Sequence, residues 1–189
     1  MLSNIWESPD GIITKEIVNN GMSGLKPTEN CKCYIKITNN SIEELQKFAQ
    51  SSLYVIGDSD TVIQRCLDNC LMYMHAGEIA NVSLKLEVAS KFTLELVNFE
   101  TEDLIYNWNT QKKLELSCNH KTRGVDLFKE SRYIDASYRF GKGLKILCSI
   151  PIEVDQSISE VQGVSLIEIE NLKVNLYNNL ASCYSLDSL

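Results

Sequence analysis

Ala80-Asn81-Val82-Ser83-Leu84-Lys85-Leu86-Glu87-Val88, followed by Ala89-Ser90-Lys91 and then Phe92-Thr93-Leu94-Glu95-Leu96, is the stretch that decides the fold. Its apolar residues fall on every second position. Side chains alternate across a strand, so residues 80, 82, 84, 86 and 88 share one buried face. Residues 89–91 offer a short turn, and Phe92, Leu94 and Leu96 begin a return strand to about Phe99. Such a pair needs a covering layer over its apolar face. Just upstream, Val62, Ile63, Cys66, Leu67, Cys70, Leu71 and Met74 recur at helical spacing and supply it. Ser59 or Asp60 is the expected cap of that helix, and Gly77 its stop.

Outward from this core, residues 31–38 alternate as a further strand. Cys33, Ile35 and Ile37 lie on one face, with Lys32, Tyr34 and Lys36 on the other. Ser41 and Glu44 fit a capping box ahead of a short helix to about Ala49. Ile12, Ile13, Ile17 and Val18 suggest one strand and residues 52–56 another. Trp6 either tucks under the sheet or frays. Residues 1–100 therefore read as an α+β domain, a mostly antiparallel sheet with one main helix across it.

From Thr101 the period changes to 3.6. Thr101-Glu102-Asp103 places acids at one helix start, and Asn109-Thr110 offers a second. Leu114, Cys118, Val125 and Phe128 mark one face of a long helix, and residues 130–132 a tight turn. Tyr133, Ala136, Phe140, Gly143, Leu144 and Leu147 mark a second helix, closed by Pro151. Residues 149–163 read as a polar, acidic loop. A third helix spans about 164–186 through Leu166, Ile169, Leu172, Leu176, Leu180 and Cys183. Residues 101–189 are thus an all-α module, with Trp108 expected where the two halves join.

The net charge of −7 argues against a nucleic-acid surface. Charge is uneven: residues 1–100 carry 8 basic and 13 acidic side chains, whereas 112–145 carry 9 and 4. That excess, including Arg123, Lys129, Arg132, Arg139 and Lys142, is read as a partner surface or a solvated, salt-bridged helix face. The first twenty residues lack a secretory apolar core, and no apolar run approaches the ~18 residues of a membrane helix. Seven cysteines without a framework read as reduced thiols, which implies a cytoplasmic, or also nuclear, protein. With only His75 and His120 as imidazoles, no metal or other cofactor is expected, and no nucleophile–base set or Gly-rich phosphate loop is found.

Two spans resemble one family. Lys121-Thr122-Arg123-Gly124-Val125-Asp126-Leu127-Phe128-Lys129, with Tyr133, Ala136, Phe140 and Gly143-Leu144, resembles a first tetratricopeptide repeat. Small residues at 124, 136 and 143 let two helices approach while 128, 133 and 140 fill the gap. Asn179-Leu180-Ala181-Ser182-Cys183 looks like the start of a second repeat. The chain stops inside it, which reads as a truncation or a shrunken repeat. The strand at 31–38, Ile56-Gly57, Val62-Ile63, Met74-His75-Ala76-Gly77-Glu78 and Phe92-Thr93-Leu94-Glu95-Leu96 resemble an FK506-binding (FKBP-like) domain. The order matches divergent cochaperone-type members, of the FK506-binding-protein-like and Bride of doubletime type.

The resemblance implies a half-barrel sheet followed by an incomplete repeat module, and it marks where this chain departs. Family isomerases seat a prolyl ring on a tryptophan floor. The matching position here is Leu67, the wall tyrosine is Ile35, and the loop before the last strand has shrunk to about 88–91; only Phe92 and Ile63 are kept. The implied function is a non-enzymatic protein-binding adaptor or cochaperone. Its client would be a casein kinase I type kinase of the circadian clock, and prolyl isomerase activity is expected to be absent. An active isomerase is the alternative. Docking to acidic heat-shock chaperone C-termini is another: Lys121 and Asn179 fall at two positions of a carboxylate clamp, though Val125 stands where a clamp asparagine is usual.

Overall fold

In the computed structural model, which describes residues 4–152 and 159–187, the alternation read above becomes six strands. These are β1 Ile5–Glu7, β2 Ile13–Asn19, β3 Lys32–Thr38, β4 Ser52–Val55, β5 Glu78–Leu84 and β6 Ser90–Glu100. They form one antiparallel sheet in the order β1-β2-β5-β6-β3-β4. Cys33, Ile35 and Ile37 of β3 and Ala80, Val82 and Leu84 of β5 are buried on one face, with Phe92, Leu94 and Leu96 of β6 beside them. Helix α1, Val62–Leu71, covers that face through Cys66, Leu67, Cys70 and Leu71.

Local details differ from the sequence reading where backbone bonds outcompete side-chain patterns. Leu84 pairs with Ser90, so the β5–β6 loop is residues 85–89 and not 88–91. Val88 points to solvent and Leu86 packs against the core without extending β5. The Ser41–Glu44 capping box does not form. Residues Glu43–Phe48 make a 3₁₀ turn without a side-chain cap, and Glu44 Oε1 accepts instead from Thr61 Oγ1 at 2.8 Å. Thr61, rather than Ser59 or Asp60, caps α1 by accepting from the Gln64 amide. Helix α1 ends near Leu71. Gly77, with φ +78°, instead turns the chain into β5 in a conformation that costs glycine little. Trp6 tucks in, stacking on Tyr73 with ring centroids 4.8 Å apart.

The chain divides between Glu102 and Asp103 into two compact units. The second contains α2 Thr110–Lys129, α3 Tyr133–Cys148 and α4 Leu166–Asp187. Residues 101–104 are irregular and lead into a single 3₁₀ turn, Ile105–Asn107; α2 is capped by Asn109, whose side chain accepts from the Lys112 amide. Helices α2 and α3 run antiparallel in close register. A Cβ on Gly124 would lie 2.5 Å from the Phe140 ring, and one on Gly143 would lie 3.2 Å from the Ser117 carbonyl. Lys113 Nζ reaches the Ser149 carbonyl at 3.0 Å. Burial pushes the Lys113 ammonium below its ordinary range.

Leu172 and Leu176 of α4 join Leu114, Leu127, Phe140 and Leu147 in one core. Part of the expected 149–163 loop is a hairpin, β7 Glu160–Val161 and β8 Val164–Ser165. It turns through Gln162 and Gly163, both at positive φ, and residues 153–158 lie outside the described residues. Gln162 Oε1 accepts from the Thr110 amide and hydroxyl and so holds the start of α2. Trp108 is buried, donating its indole N–H to the Asp103 carbonyl at 2.7 Å, with Lys112 over its ring.

All seven cysteines are free thiols. Burial pushes Cys33 and Cys70 up to about 12 and Cys66 to about 11, from an ordinary value of 9.0. The folded chain keeps these thiols neutral where the unfolded chain ionises them, so their stabilisation is full below pH 9 and falls as pH rises towards 11–12. Urea melts at pH 7.5 and pH 10 are expected to show the first unit losing stability at the higher pH. A thiol reagent at neutral pH is expected to label exposed Cys148 first and the buried thiols only on unfolding.

Candidate functional site

The four positions matched to the isomerase pocket do come together. Ile35 lies on β3, Phe92 on β6 opposite Val82, and Ile63 and Leu67 lie on the face of α1 turned towards the sheet. They meet inside the core. Ile35 and Leu67 are 0% exposed and Phe92 2%, with Ile63 packed against the same cluster. Leu67 is sealed among core side chains rather than flooring an open pocket. A substrate ring needs a reachable apolar platform with a few placed polar groups; Ile35, Leu67 and Phe92 offer almost no surface to one, and Ile63 is partly exposed. A cleft of about 210 Å³ elsewhere in the unit is lined by Asn30, Lys32, Val55, Glu100, Thr101 and Glu102, and includes none of the four.

Two buried polar clusters frame this core, and both escaped the sequence reading. Asp68, one residue beyond Leu67, is 3% exposed. Its Oδ1 accepts from the Tyr54 hydroxyl at 2.8 Å and the Gly57 amide at 3.1 Å, and its Oδ2 from the Ser59 hydroxyl at 2.5 Å. This ties α1 to the 54–59 segment. At the other side, Lys15 Nζ of β2 donates to Glu78 Oε1 at 2.7 Å and to the Tyr73 carbonyl at 3.0 Å, fully buried. Glu78 Oε2 accepts from the His75 amide. The signal for Lys15 was present: it alternates with Ile13 and Ile17 on the inward face of β2, and an inward lysine demands a buried partner. Nothing in the spacing around Asp68 marks it, because its donors come from the end of β4 and from the turn after it, which no period describes. His75 is structural through its backbone, and its Nδ1 has no hydrogen-bond partner among the described residues.

In the helical unit, Lys121 and Asn179 are both half-buried, on α2 and α4, and Val125 is half-buried one turn beyond Lys121. The basic partner surface is smaller than its composition suggests. Arg139 is 3% exposed, its guanidinium 3.3 Å from His120 Nδ1, so it belongs to the helix interface and not to a displayed surface. Arg132 is held by Asp135 and Glu130 at 2.9 and 3.4 Å, and Lys129 pairs with Asp126 at 3.7 Å. Arg123 and Lys142 are half-buried and engaged in contacts of their own. Among the described residues no cluster of histidine, cysteine or carboxylate side chains is arranged to hold a metal ion, and no helix is long and apolar enough to cross a membrane.

Comparison with known proteins bears on the fold. The human protein peptidyl-prolyl cis-trans isomerase FKBP4 is 26% identical over 199 residues, covering 96% of this chain and 41% of that protein. Mouse FK506-binding protein-like is 24% identical over 151 residues, covering 79% and 44%. The chain thus spans less than half the length of the curated relatives it matches. The crystal structure of residues 1–211 of CG17282 superposes with a TM-score of 0.82 at 21% identity, covering 98% of this chain and 95% of that one. It shares the fold across both units. The family model described as "BDBT FKBP like N-terminal" matches residues 6–102, the sheet and helix that enclose Ile35, Leu67 and Phe92. With just over half of its length so matched, the chain belongs to the family of BDBT-type, FKBP-like N-terminal domains.

Proposed function

We propose that this protein is a non-catalytic adaptor of cochaperone type, in which an FKBP-like scaffold unit is followed along the chain by a helical, tetratricopeptide-like binding module. The observation that carries this reading is the sealing of Leu67, Ile35 and Phe92 in the core at 0–2% exposure. Prolyl rotation has a barrier of ~18–20 kcal/mol, and lowering it requires a desolvated, shaped site with positioned groups that a substrate can enter. A filled core does neither. The module reading draws support from the close α2–α3 approach at Gly124 and Gly143. The client we propose, from family membership and resemblance, is a casein kinase I type kinase of the circadian clock, met in the cytoplasm or nucleus.

A second reading, chaperone docking, is favoured by Lys121 and Asn179, whose side chains make no hydrogen bond or ion pair with another described residue. Calorimetric titration of the full chain tests both. The adaptor reading expects saturable binding of a casein kinase I catalytic domain. Docking expects binding of an acidic chaperone C-terminal peptide that Lys121→Ala weakens by about tenfold, the loss of one charge-assisted contact. Absence of kinase binding at high micromolar concentration rejects that client. A peptide affinity indifferent to Lys121→Ala rejects the clamp.

A further inference from the structure

Asn20-Gly21 is the single Asn-Gly pair in the sequence. It lies just past β2, which ends at Asn19, in the loop that leads towards β3. Asn20 is exposed. Its side chain and the Gly21 amide have no hydrogen-bond partner among the described residues. A carboxamide and the main-chain nitrogen that follows it are therefore neighbours with nothing holding either. A nucleophile in the same chain reacts far more effectively than one from solution. Glycine also lacks the Cβ that would crowd the approach of its own backbone.

The Asp10-Gly11 pair shows the opposite arrangement. Asp10 Oδ1 accepts from the Ser8 hydroxyl and the Ile12 amide, and the Gly11 amide donates to the Ser8 carbonyl at 2.8 Å. The Ser8 bond, helped by the Ile12 amide, holds the Asp10 carboxyl below its ordinary range. It is therefore a carboxylate, a poor electrophile, and its would-be attacking nitrogen is tied as well. The side chains of Asn40 and Asn109 are occupied too, accepting from the Ile42 and Lys112 amides.

The fold keeps the reactive pair because it needs the glycine. A Cβ at Gly21 would stand 2.4 Å from the Ala76 carbonyl oxygen and 2.7 Å from the Glu78 amide nitrogen. The chain is pinned on both sides of the pair. Asn19 pairs with Ile79, and the Met22 amide donates to the Ala76 carbonyl at 2.7 Å.

We propose that Asn20 is a self-modifying site, at which the chain converts asparagine to isoaspartate and aspartate without an enzyme. The Gly21 nitrogen gives up its proton to water or hydroxide and bonds to the Asn20 side-chain carbonyl carbon. The carboxamide carbon–nitrogen bond breaks, and ammonia leaves with a proton from water. One water molecule then opens the succinimide ring. Opening at the main-chain carbonyl gives isoaspartate, and opening at the side-chain carbonyl gives aspartate. The net reaction consumes one water and releases one ammonia, with no oxidant or reductant. Isoaspartate lengthens the main chain by one carbon between the two pinned points. The chain must bulge or give up the Met22–Ala76 bond, and the unit loses stability.

Incubation of the folded full chain for weeks at neutral pH and body temperature tests this. Tryptic mapping is expected to place product at position 20, in the peptide of residues 16–32. Its level should exceed that in any other asparagine-bearing peptide by about tenfold or more, the advantage of a free adjacent nucleophile. An isoaspartyl carboxyl methyltransferase, used as a probe, should label the same peptide. Asn20→Gln must close a larger ring and should reduce the product by about tenfold or more. Circular dichroism checks that this exposed substitution leaves the fold intact. In urea, Asp10-Gly11 is released from Ser8 and should become a second labelled site. The aged wild type should unfold at lower urea than fresh protein, and aged Asn20→Gln should not. Three results overturn the site: no product at position 20, product spread evenly over the asparagines, or product undiminished in Asn20→Gln. A converted chain as stable as the fresh one overturns the account of the pinned loop.

Discussion

Replacing Lys15 by methionine is expected to destabilise the FKBP-like unit by about 3–5 kcal/mol, the usual penalty for removing one partner of a buried ion pair. The Lys15 ammonium gives Glu78 and the Tyr73 carbonyl their hydrogen bonds in a site closed to water. Without it, Glu78 must stay charged and unpaired, take up a proton, or open the structure to water. Each costs free energy. The double variant Lys15→Met/Glu78→Leu removes both charges together and is expected to recover at least half of the loss, because two apolar side chains of similar volume pack where the pair stood. The His75 amide and the Tyr73 carbonyl lose a partner in that variant, which keeps the recovery incomplete. Urea unfolding of wild type, both single variants and the double variant measures the cycle. Equal losses in the single and double variants would contradict the pairing.

Asp68→Ala is expected to cost a similar amount, about 3–5 kcal/mol, by a different route. Three donors converge on one carboxylate, and hydrogen bonds to a charged group contribute about 1.5–3 kcal/mol each, not fully additively. Truncation leaves the Gly57 amide and the Ser59 and Tyr54 hydroxyls facing a small cavity. Asp68→Asn separates hydrogen bonding from size. The amide oxygen can still accept from Tyr54 and Gly57, while the Ser59 hydroxyl can turn to accept from the new amide group. Its cost should therefore be about 1 kcal/mol. Urea midpoints ranked wild type, Asn, Ala in clearly separated steps support this account. Equal midpoints for Asn and Ala would show that the carboxylate charge, not the network geometry, stabilises the turn.

The sheet was readable because strand period 2 and helix period 3.6 are simple signals. Ile35 and Ile37 alternate, and Leu67 and Leu71 lie one turn apart, so their burial follows from spacing alone. The α2–α3 register was similarly visible in Gly124, Phe140 and Gly143, since only a missing side chain lets an aromatic ring lie against the helix backbone. What escaped depends on partners distant in the chain. Lys15 and Glu78 are separated by 63 positions, and a charge count does not distinguish buried from exposed side chains. Arg139 joins the expected basic surface through the charge excess of residues 112–145 alone, yet the helix presents it inward to His120. Gln162 sits in a hairpin of two-residue strands, too short for any period to reveal. The capping box failed for a tertiary reason: Glu44 is drawn to Thr61, which itself caps α1.

The central claim is that bulky aliphatic packing has replaced a substrate-accessible pocket. Its most direct test is the cis–trans exchange rate of a short proline peptide with the full chain at tens of micromolar, compared with buffer alone. The expected result is an unchanged rate, with exchange on its uncatalysed time scale of about 10–100 s. A rate raised severalfold in proportion to protein concentration, and lost on unfolding in urea, would show that a substrate reaches a working site in this unit, and the adaptor-only account would be wrong.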